Sequence, residues 1–261
     1  MRAFGRWLLW MLFAAVALQV FFVGRIALMA MVDPQSTAFM RSEAWRVAKQ
    51  SLGSDKPWRF SSQWVDYDQI SPHLKHAVMA AEDAGFTDHG GVDWDAIQSA
   101  WQKNERRQAQ ADKRAEQIER RLAKKPEAAE AAVKAIKPPK ISGGSTITQQ
   151  LAKNLLLSGE RNLLRKGQEL VLTLMLEALL SKQRILAIYL NSVEWGEGVF
   201  GAEAAAQRYF NKSAAKLSPN EAARLAVMLP SPKFFETRQG SAYLARRTSS
   251  IVAQMGAVQA P

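Results

Sequence analysis

Between residues 80 and 97 the chain reads AAEDAGFTDHGGVDWDAI, which places Glu82, Asp83, Asp88, His89, Asp93 and Asp95 within fourteen residues beside a Gly90-Gly91 turn. Carboxylates at that density can take a proton from a nucleophile or hold a divalent cation, although a solvated loop has the same composition. A second stretch, GGSTITQQLAKN, follows a glycine turn with hydroxyl and amide side chains and then Lys153. Such groups can bind a polar substrate, or Ser145 or Thr146 can simply cap a helix. A third, RNLLRKGQELVL, carries Arg161, Arg165, Lys166 and Glu169. This charge set suits an anion and equally suits a solvated first turn. The chain has no cysteine, which excludes disulfides, a thiol nucleophile and cysteine-ligated zinc or iron-sulfur centres.

Other patterns carry less. Gly196, Gly198 and Gly201 fit GxGxxG, but they follow a helical stretch ending near Asn191 instead of a strand, so they read as a turn and not a dinucleotide site. Ser213 and Lys216 form SxxK without a KTG or Ser-Asp-Asn partner, which leaves no room for a transpeptidase. His73 and His76 lack a third zinc ligand.

The elements that must position the three charged stretches read as helices. Ser71 to Ala84 and Asp93 to Trp101 space their apolar residues three and four apart, without sustained alternation. Glu169 to Leu190 reads as a buried core helix, because Glu177, Lys182 and Arg184 interrupt it too often for a membrane span. Ser218 with Glu221 forms a capping box that starts a helix over Pro219 to Met228. The expectation is a mostly α fold with few strands.

Ahead of these lies an anchor. Trp7 to Gly24 is 18 residues without a formal charge, about 27 Å as a helix and close to the hydrocarbon thickness of a bilayer. Arg25 interrupts the run before residues 26–32 resume it, and Arg2 and Arg6 precede it. By the positive-inside tendency, residues 1–6 are cytoplasmic, 7–32 span the membrane and 33–60 link to a domain over 61–261 on the far side. The chain carries a net charge of +11, which favours an anionic partner. Residues 102–140 hold seven Lys and five Arg against five Glu and one Asp, with almost no large apolar side chain. They read as an exposed, solvated arm inserted in the domain, and without aromatic residues to stack on bases they do not point to nucleic acid.

Taken together the motifs resemble the monofunctional peptidoglycan glycosyltransferases, relatives of the transferase half of class A penicillin-binding proteins. The resemblance runs from Ser71 to Pro232 through Glu82-Asp83 with Phe86, His89, Gly91 and Asp93, then GGSTITQQLAKN, Arg165-Lys166 with Glu169, KQRILAIYLN, WGEGVFGAEAAAQRYFNK and RLAVMLPSP. It implies a lysozyme-like helical fold with a small membrane-proximal lobe. It also implies polymerisation of lipid II into β-1,4-linked glycan, with inversion at the anomeric carbon and release of undecaprenyl pyrophosphate. Glu82 matches the catalytic base and Glu169 the second glutamate. Lys153, Arg165 and Lys182 match positions that meet the pyrophosphate charge, while Asp83, His89, Ser145, Thr146, Gln149 and Gln150 match substrate-binding positions. Asp83 or a neighbouring carboxylate could hold a divalent cation, magnesium or manganese. The implied partners are lipid II, the growing glycan, the membrane of a single-pass protein and cell-wall synthesis or division proteins; the implied place is the bacterial inner membrane, with the domain in the periplasm.

Two other classes compete. A lysozyme-like glycan-cleaving enzyme would need its glutamate as an acid and would have no use for cations that match a pyrophosphate. A non-catalytic, membrane-anchored basic protein would use the arm but leave GGSTITQQ and the two glutamates without a purpose.

Overall fold

A computed structural model describes residues 2–53, 59–123, 125–136, 138–139, 141, 143–157 and 163–261. Arg161 of the third charged stretch and residues 54–58 of the expected linker lie outside the described residues.

The chain is mostly helical, as its apolar spacing predicts. Helix α1 (Arg2–Leu28) is long and apolar enough to cross a membrane, consistent with the expected anchor, and α2 (Ala38–Leu52), capped by Thr37, occupies much of the expected linker. The carboxylate-rich stretch begins at the end of α3 (Pro72–Glu82), which Ser71 caps. After it come α4 (Trp94–Arg121) and α5 (Pro126–Lys134), then α6 (Ile147–Leu156), α7 (Leu163–Leu179) and α8 (Lys182–Ser192). The remaining helices are α9 (Ala202–Phe210), α10 (Pro219–Met228), α11 (Pro232–Glu236) and α12 (Ala242–Gln254). Glu221 closes the capping box with Ser218 at the start of α10, at the position its sequence signature marks.

Residues 1–92 and 146–261 form one compact unit, and Asp93–Ser145 form another. In the first, α3 packs on α10 and α12, while α6 packs on α2, α7 and α8. Trp195, Tyr189, Phe86, Leu74 and Leu151 are fully buried in its core. Three very short strands edge the core. β1 (Ser61–Ser62) runs parallel to β3 (Val199–Phe200), which pairs antiparallel with β2 (Glu194–Gly196). Gly198 turns between β2 and β3 at φ +70°, and a Cβ there would sit 2.0 Å from the Arg59 carbonyl oxygen, so the turn requires glycine. The glycine-rich stretch is thus a tight turn between strands, two of which precede α9, and not simply the sequel of a helix.

The apolar segment from Glu169 to Leu190 is two helices instead of one. The chain breaks at Leu180-Ser181, where the Ser181 hydroxyl accepts the Arg184 N–H at 3.2 Å and starts α8 afresh. Residues 185–192 of α8 are all buried, whereas α7 keeps one face exposed, so only the second half is a core helix throughout. Arg184 then ties the anchor to the core. Its guanidinium donates to the Met29 and Val32 carbonyls at 2.6 and 3.0 Å and pairs with Asp33 at 2.7 Å, capping the end of α1 with positive charge.

In the second unit Asp93 caps α4 by accepting the Ala96 N–H at 2.7 Å. Among the described residues of α4 and α5 only Ala100 is buried, and Trp101, Arg107, Pro139 and Ile141 line one shallow cavity. A segment with so little buried apolar surface adds little to folding free energy, and its two ends lie close together, since a Cβ on Gly144 would sit 2.9 Å from the Ile97 Cα. Deleting residues 107–136 and closing with a short flexible linker should therefore leave the melting temperature within a few degrees of the parent, as measured by circular dichroism. A collapse of the transition would show the arm to be structural.

Candidate active site

The last residue of α3 is Glu82, half-buried, and Asp83 follows at the C-cap. Asp83 spends both oxygens on the fold: Oδ2 accepts the Ile147 N–H at the start of α6, and Oδ1 lies 2.9 Å from His89 Nε2. His89 Nδ1 accepts the Gly91 N–H at 3.1 Å, so its proton sits on Nε2 and is donated to Asp83. Burial pushes the Asp83 carboxyl above the ordinary aspartate value, with His89 and the Ile147 N–H opposing. This carboxylate clamps the end of α3, the His89 loop and the start of α6 together.

The start of α6 is satisfied in the same way. Thr146 Oγ1 accepts the Gln149 N–H and donates to the Gly91 carbonyl at 2.7 Å, while Gln149 Oε1 accepts the Thr146 N–H. Thr146 and Gln149, expected as substrate contacts, are buried capping groups. Ser145 is exposed and belongs to the second unit. Lys182 reaches the His89 loop from α8. Its ammonium donates to the His89 carbonyl at 2.6 Å and to Glu177 at 2.9 Å, and it lies over the Phe86 ring, so it braces the carboxylate loop. Thr148 donates to the same Glu177 oxygen at 2.6 Å.

Gln150 is where the site opens. Its amide nitrogen donates to Glu82 Oε2 at 2.9 Å, and its carbonyl accepts from the Tyr189 hydroxyl at 3.0 Å. A phenol donating to Oε1 dictates which way the amide is turned, so the amide N–H aims at Glu82. Tyr189 is fully buried on α8, and burial holds its phenol well above its ordinary pKa, so it remains a donor. Burial likewise raises the Glu82 carboxyl, with the Gln150 hydrogen bond and the charges of Lys153 and Arg247 opposing and Asp83 reinforcing. The role of Tyr189 was hidden inside the apolar run of α8, where only its hydroxyl distinguishes it.

One turn along α6 from Gln150 stands Lys153, and both line a cavity of about 330 Å³ with Asn154, Arg165 of α7, Ser42 of α2 and Glu194 of β2. Glu169 is buried and holds two cations, Arg165 at 3.2 Å and Lys166. Adjacent positions on a helix would send Arg165 and Lys166 apart, yet both side chains curl onto this one carboxylate. Arg165 is the better sheltered of the two, with 18% of its side chain exposed against 55% for Lys166. Glu194 is a further acid that sequence reasoning passed over. Burial pushes it up to about 7, with Lys233 at 3.3 Å opposing. A glutamate in a β-strand beside glycines has no periodic or motif signal that would have revealed it.

Gln150 thus links the Glu82 carboxyl to a cavity whose wall bears Lys153 and Arg165. The family profile described as Transglycosylase matches residues 51–125 and 124–256. A biosynthetic peptidoglycan transglycosylase of Paraburkholderia phytofirmans is 47% identical over 249 residues, covering 95% of this chain and 89% of its own length. A protein of the same name from Burkholderia thailandensis is 47% identical over 264 residues, covering 100% of this chain and 90% of its own. Since the profile takes in both the Glu82 clamp and the Arg165-Glu169 wall, and the likeness runs through the anchor as well, the chain belongs to the transglycosylase family.

Proposed function

We propose that this protein polymerises lipid II into peptidoglycan glycan strands, with Glu82 as the general base and Lys153 and Arg165 meeting the charge of the departing pyrophosphate. The observation that carries the reading is the hydrogen-bonded line from Tyr189 through Gln150 to Glu82, whose middle member, Gln150, lines a cavity together with Lys153 and Arg165. Relatives named biosynthetic peptidoglycan transglycosylase support the same reaction class.

A sugar hydroxyl is a weak nucleophile, so its proton must leave as the new bond forms. The Glu82 carboxylate, with a pKa raised by burial, is a stronger base than a solvated glutamate and takes that proton from the 4-hydroxyl of the acceptor. The hydroxyl oxygen attacks the anomeric carbon of the donor, and the bond to the pyrophosphate oxygen breaks with its electron pair on the leaving group. Attack opposite an α-linked leaving group gives the β-1,4 link. Fixed cations in a partly dehydrated cavity stabilise the developing pyrophosphate charge and remove the need for a general acid. Glu169 holds Arg165 in place, and the Asp83 clamp fixes the α3 end that carries Glu82. No step is routed through a divalent cation, and polymerisation measured with and without chelator tests that. With α1 as the anchor, the reading places the N-terminus in the cytoplasm and the catalytic unit in the periplasm of a bacterial inner membrane, where cell-wall synthesis or division proteins are its partners.

A hydrolase would use a protonated Glu82, and the raised pKa alone is compatible with that. Lys153 and Arg165 favour transfer. Labelled lipid II incubated with the purified protein separates the readings, since synthesis gives polymer and hydrolysis gives cut glycan.

Glu82→Gln should lower polymerisation by roughly 100- to 10,000-fold. Because the fold raises the Glu82 pKa, the ionised form destabilises the protein above that pKa, and Glu82→Gln should melt higher than the parent at neutral pH. Wild-type kcat/KM should rise with pH along an acid limb displaced above the ordinary glutamate value of about 4.3. An inactive variant that melts lower would assign Glu82 a structural role.

Arg165→Ala and Lys153→Ala should each reduce kcat by on the order of 100- to 1,000-fold. Lys166→Ala should cost less, since its ion pair with Glu169 is the more solvated of the two. Equal losses at Lys166 and Arg165 in single-turnover assays would overturn that ordering.

A further inference from the structure

We propose that one face of α4 is a second binding site, apart from the cavity, for a linear polyanion with carboxylates at regular intervals, the peptide-bearing glycan strand; the identity of that polymer rests on the reaction proposed above. The sequence of the helix repeats. Three triplets, Glu105-Arg106-Arg107, Asp112-Lys113-Arg114 and Glu119-Arg120-Arg121, each run acid, base, base and follow one another at intervals of seven residues. Seven residues are nearly two helical turns and about 10.5 Å, so each pair of cations lies above the last.

At about 100° per residue, the seven cations from Lys103 to Arg121 fall within an arc of about 140°. The other residues of that arc between positions 102 and 121 are Gln102, Gln110 and Gln117, and all ten side chains are exposed. The four acids of the same stretch occupy a separate flank about 60° wide. There Glu105 accepts the Trp101 indole N–H at 2.8 Å and Asp112 accepts the Gln108 amide at 2.9 Å. Glu116 reaches Arg120 at 3.8 Å, with 84% of the arginine side chain left exposed. A helix that merely stays in solution intersperses its charges so that they pair four residues apart. This one separates them. Ala111, Ala115, Ile118 and Leu122, half-buried, lie on a third side, and α5 is the element that packs on α4.

The basic face suits carboxylates on a polar polymer. Five of its seven cations are arginine, whose planar guanidinium meets a carboxylate through two parallel N–H bonds. The glutamine amides between them give and take hydrogen bonds with hydroxyl and acetamido groups. A helix that lies in a lipid interface buries an apolar face beside its cations, and this face has no apolar residue. Nucleic-acid bases stack on aromatic side chains, which it also lacks. A glycan strand newly made from lipid II carries a short peptide with free carboxylates on every second sugar, and so presents anions at a regular spacing along a polar chain. Each solvated ion pair is weak, and the affinity comes from engaging several at once.

Because the chain has no cysteine, Gln110→Cys gives a single thiol in the middle of the face. The full chain, carrying an environment-sensitive fluorophore there in phosphatidylcholine nanodiscs, is titrated with premade, uncrosslinked peptidoglycan strands of fixed length. The same strands with their carboxyls capped as methylamides are the neutral reference. Charged strands should change the signal saturably, with an affinity that falls as salt rises, and capped strands should not. Arg106→Gln, Lys113→Gln, Arg120→Gln and Arg121→Gln together should weaken binding about tenfold or more. Neutralising Lys49, Lys216, Arg238 and Arg246, exposed cations on other elements, should change it less than about twofold, with helical content checked for each variant. No response to charged strands, equal binding of charged and capped strands, or equal losses in the two variants would overturn the proposal. So would a signal change on moving the labelled protein into phosphatidylglycerol nanodiscs without strands, which would assign the face to the membrane. No lipid II is present in this assay, so its failure leaves the reaction at Glu82 untouched, and a failure of that reaction is read separately from labelled lipid II.

Discussion

The Asp83 carboxylate is the interaction on which the rest of the site depends. It accepts the first N–H of α6 on one oxygen and His89 on the other, in surroundings that leave it almost no contact with water. A buried carboxylate is costly to desolvate and is tolerated where both oxygens are met, each charge-assisted bond returning about 1.5–3 kcal/mol. Meeting them here forces the end of α3 against the beginning of α6. Glu82, one residue before the clamp, thereby comes within hydrogen-bonding distance of Gln150, one turn into α6. Lys182 secures the same loop from α8 by holding the His89 carbonyl.

In the reaction proposed, the cleft separates two tasks that would interfere if mixed. Proton acceptance needs a carboxylate whose charge is poorly solvated, and burial with a single neutral amide partner supplies that at Glu82. Charge stabilisation needs cations kept at a distance sufficient to leave the base basic. Lys153 and Arg247 do pull the Glu82 pKa down, yet burial outweighs them. Arg165 is held on the far side by Glu169, a buried acid that fixes its guanidinium. Two glutamates of similar chemistry thus meet different neighbours, one an amide and the other two cations.

The same helix that carries Arg165 and Glu169 on its inner side presents leucine and valine on its outer side. This explains why α7, unlike α8, is only half buried despite a comparably apolar sequence. Its packing on α1 through Gln19 and Gln168 makes the anchor part of the tertiary structure, with Ile26 as much a core residue as Leu151.

Local signals in the sequence were sufficient for the helical class, the anchor, the Ser218-Glu221 capping box and the poverty of apolar surface in residues 102–140, because each depends on spacing within one or two turns. Glu82, Lys153, Arg165 and Glu169 stood out as well, through the resemblance of whole strings, and the roles proposed for them begin from it. What remained hidden was the division of labour among them. Thr146, Gln149 and Lys182 carry the same groups as a substrate site would, and nothing local reveals that a cap, a loop carbonyl and Glu177 already occupy them. The break at Ser181 rests on a local cap that the surrounding apolar run masks, whereas the Tyr189-Gln150 line and the buried Glu194 were out of reach, since they depend on a partner 39 residues away or on burial within the assembled core. Sequence periodicity reports which residues share a face; only the tertiary structure decides what that face meets, and a side chain's chemistry is set by its partners and its distance from water.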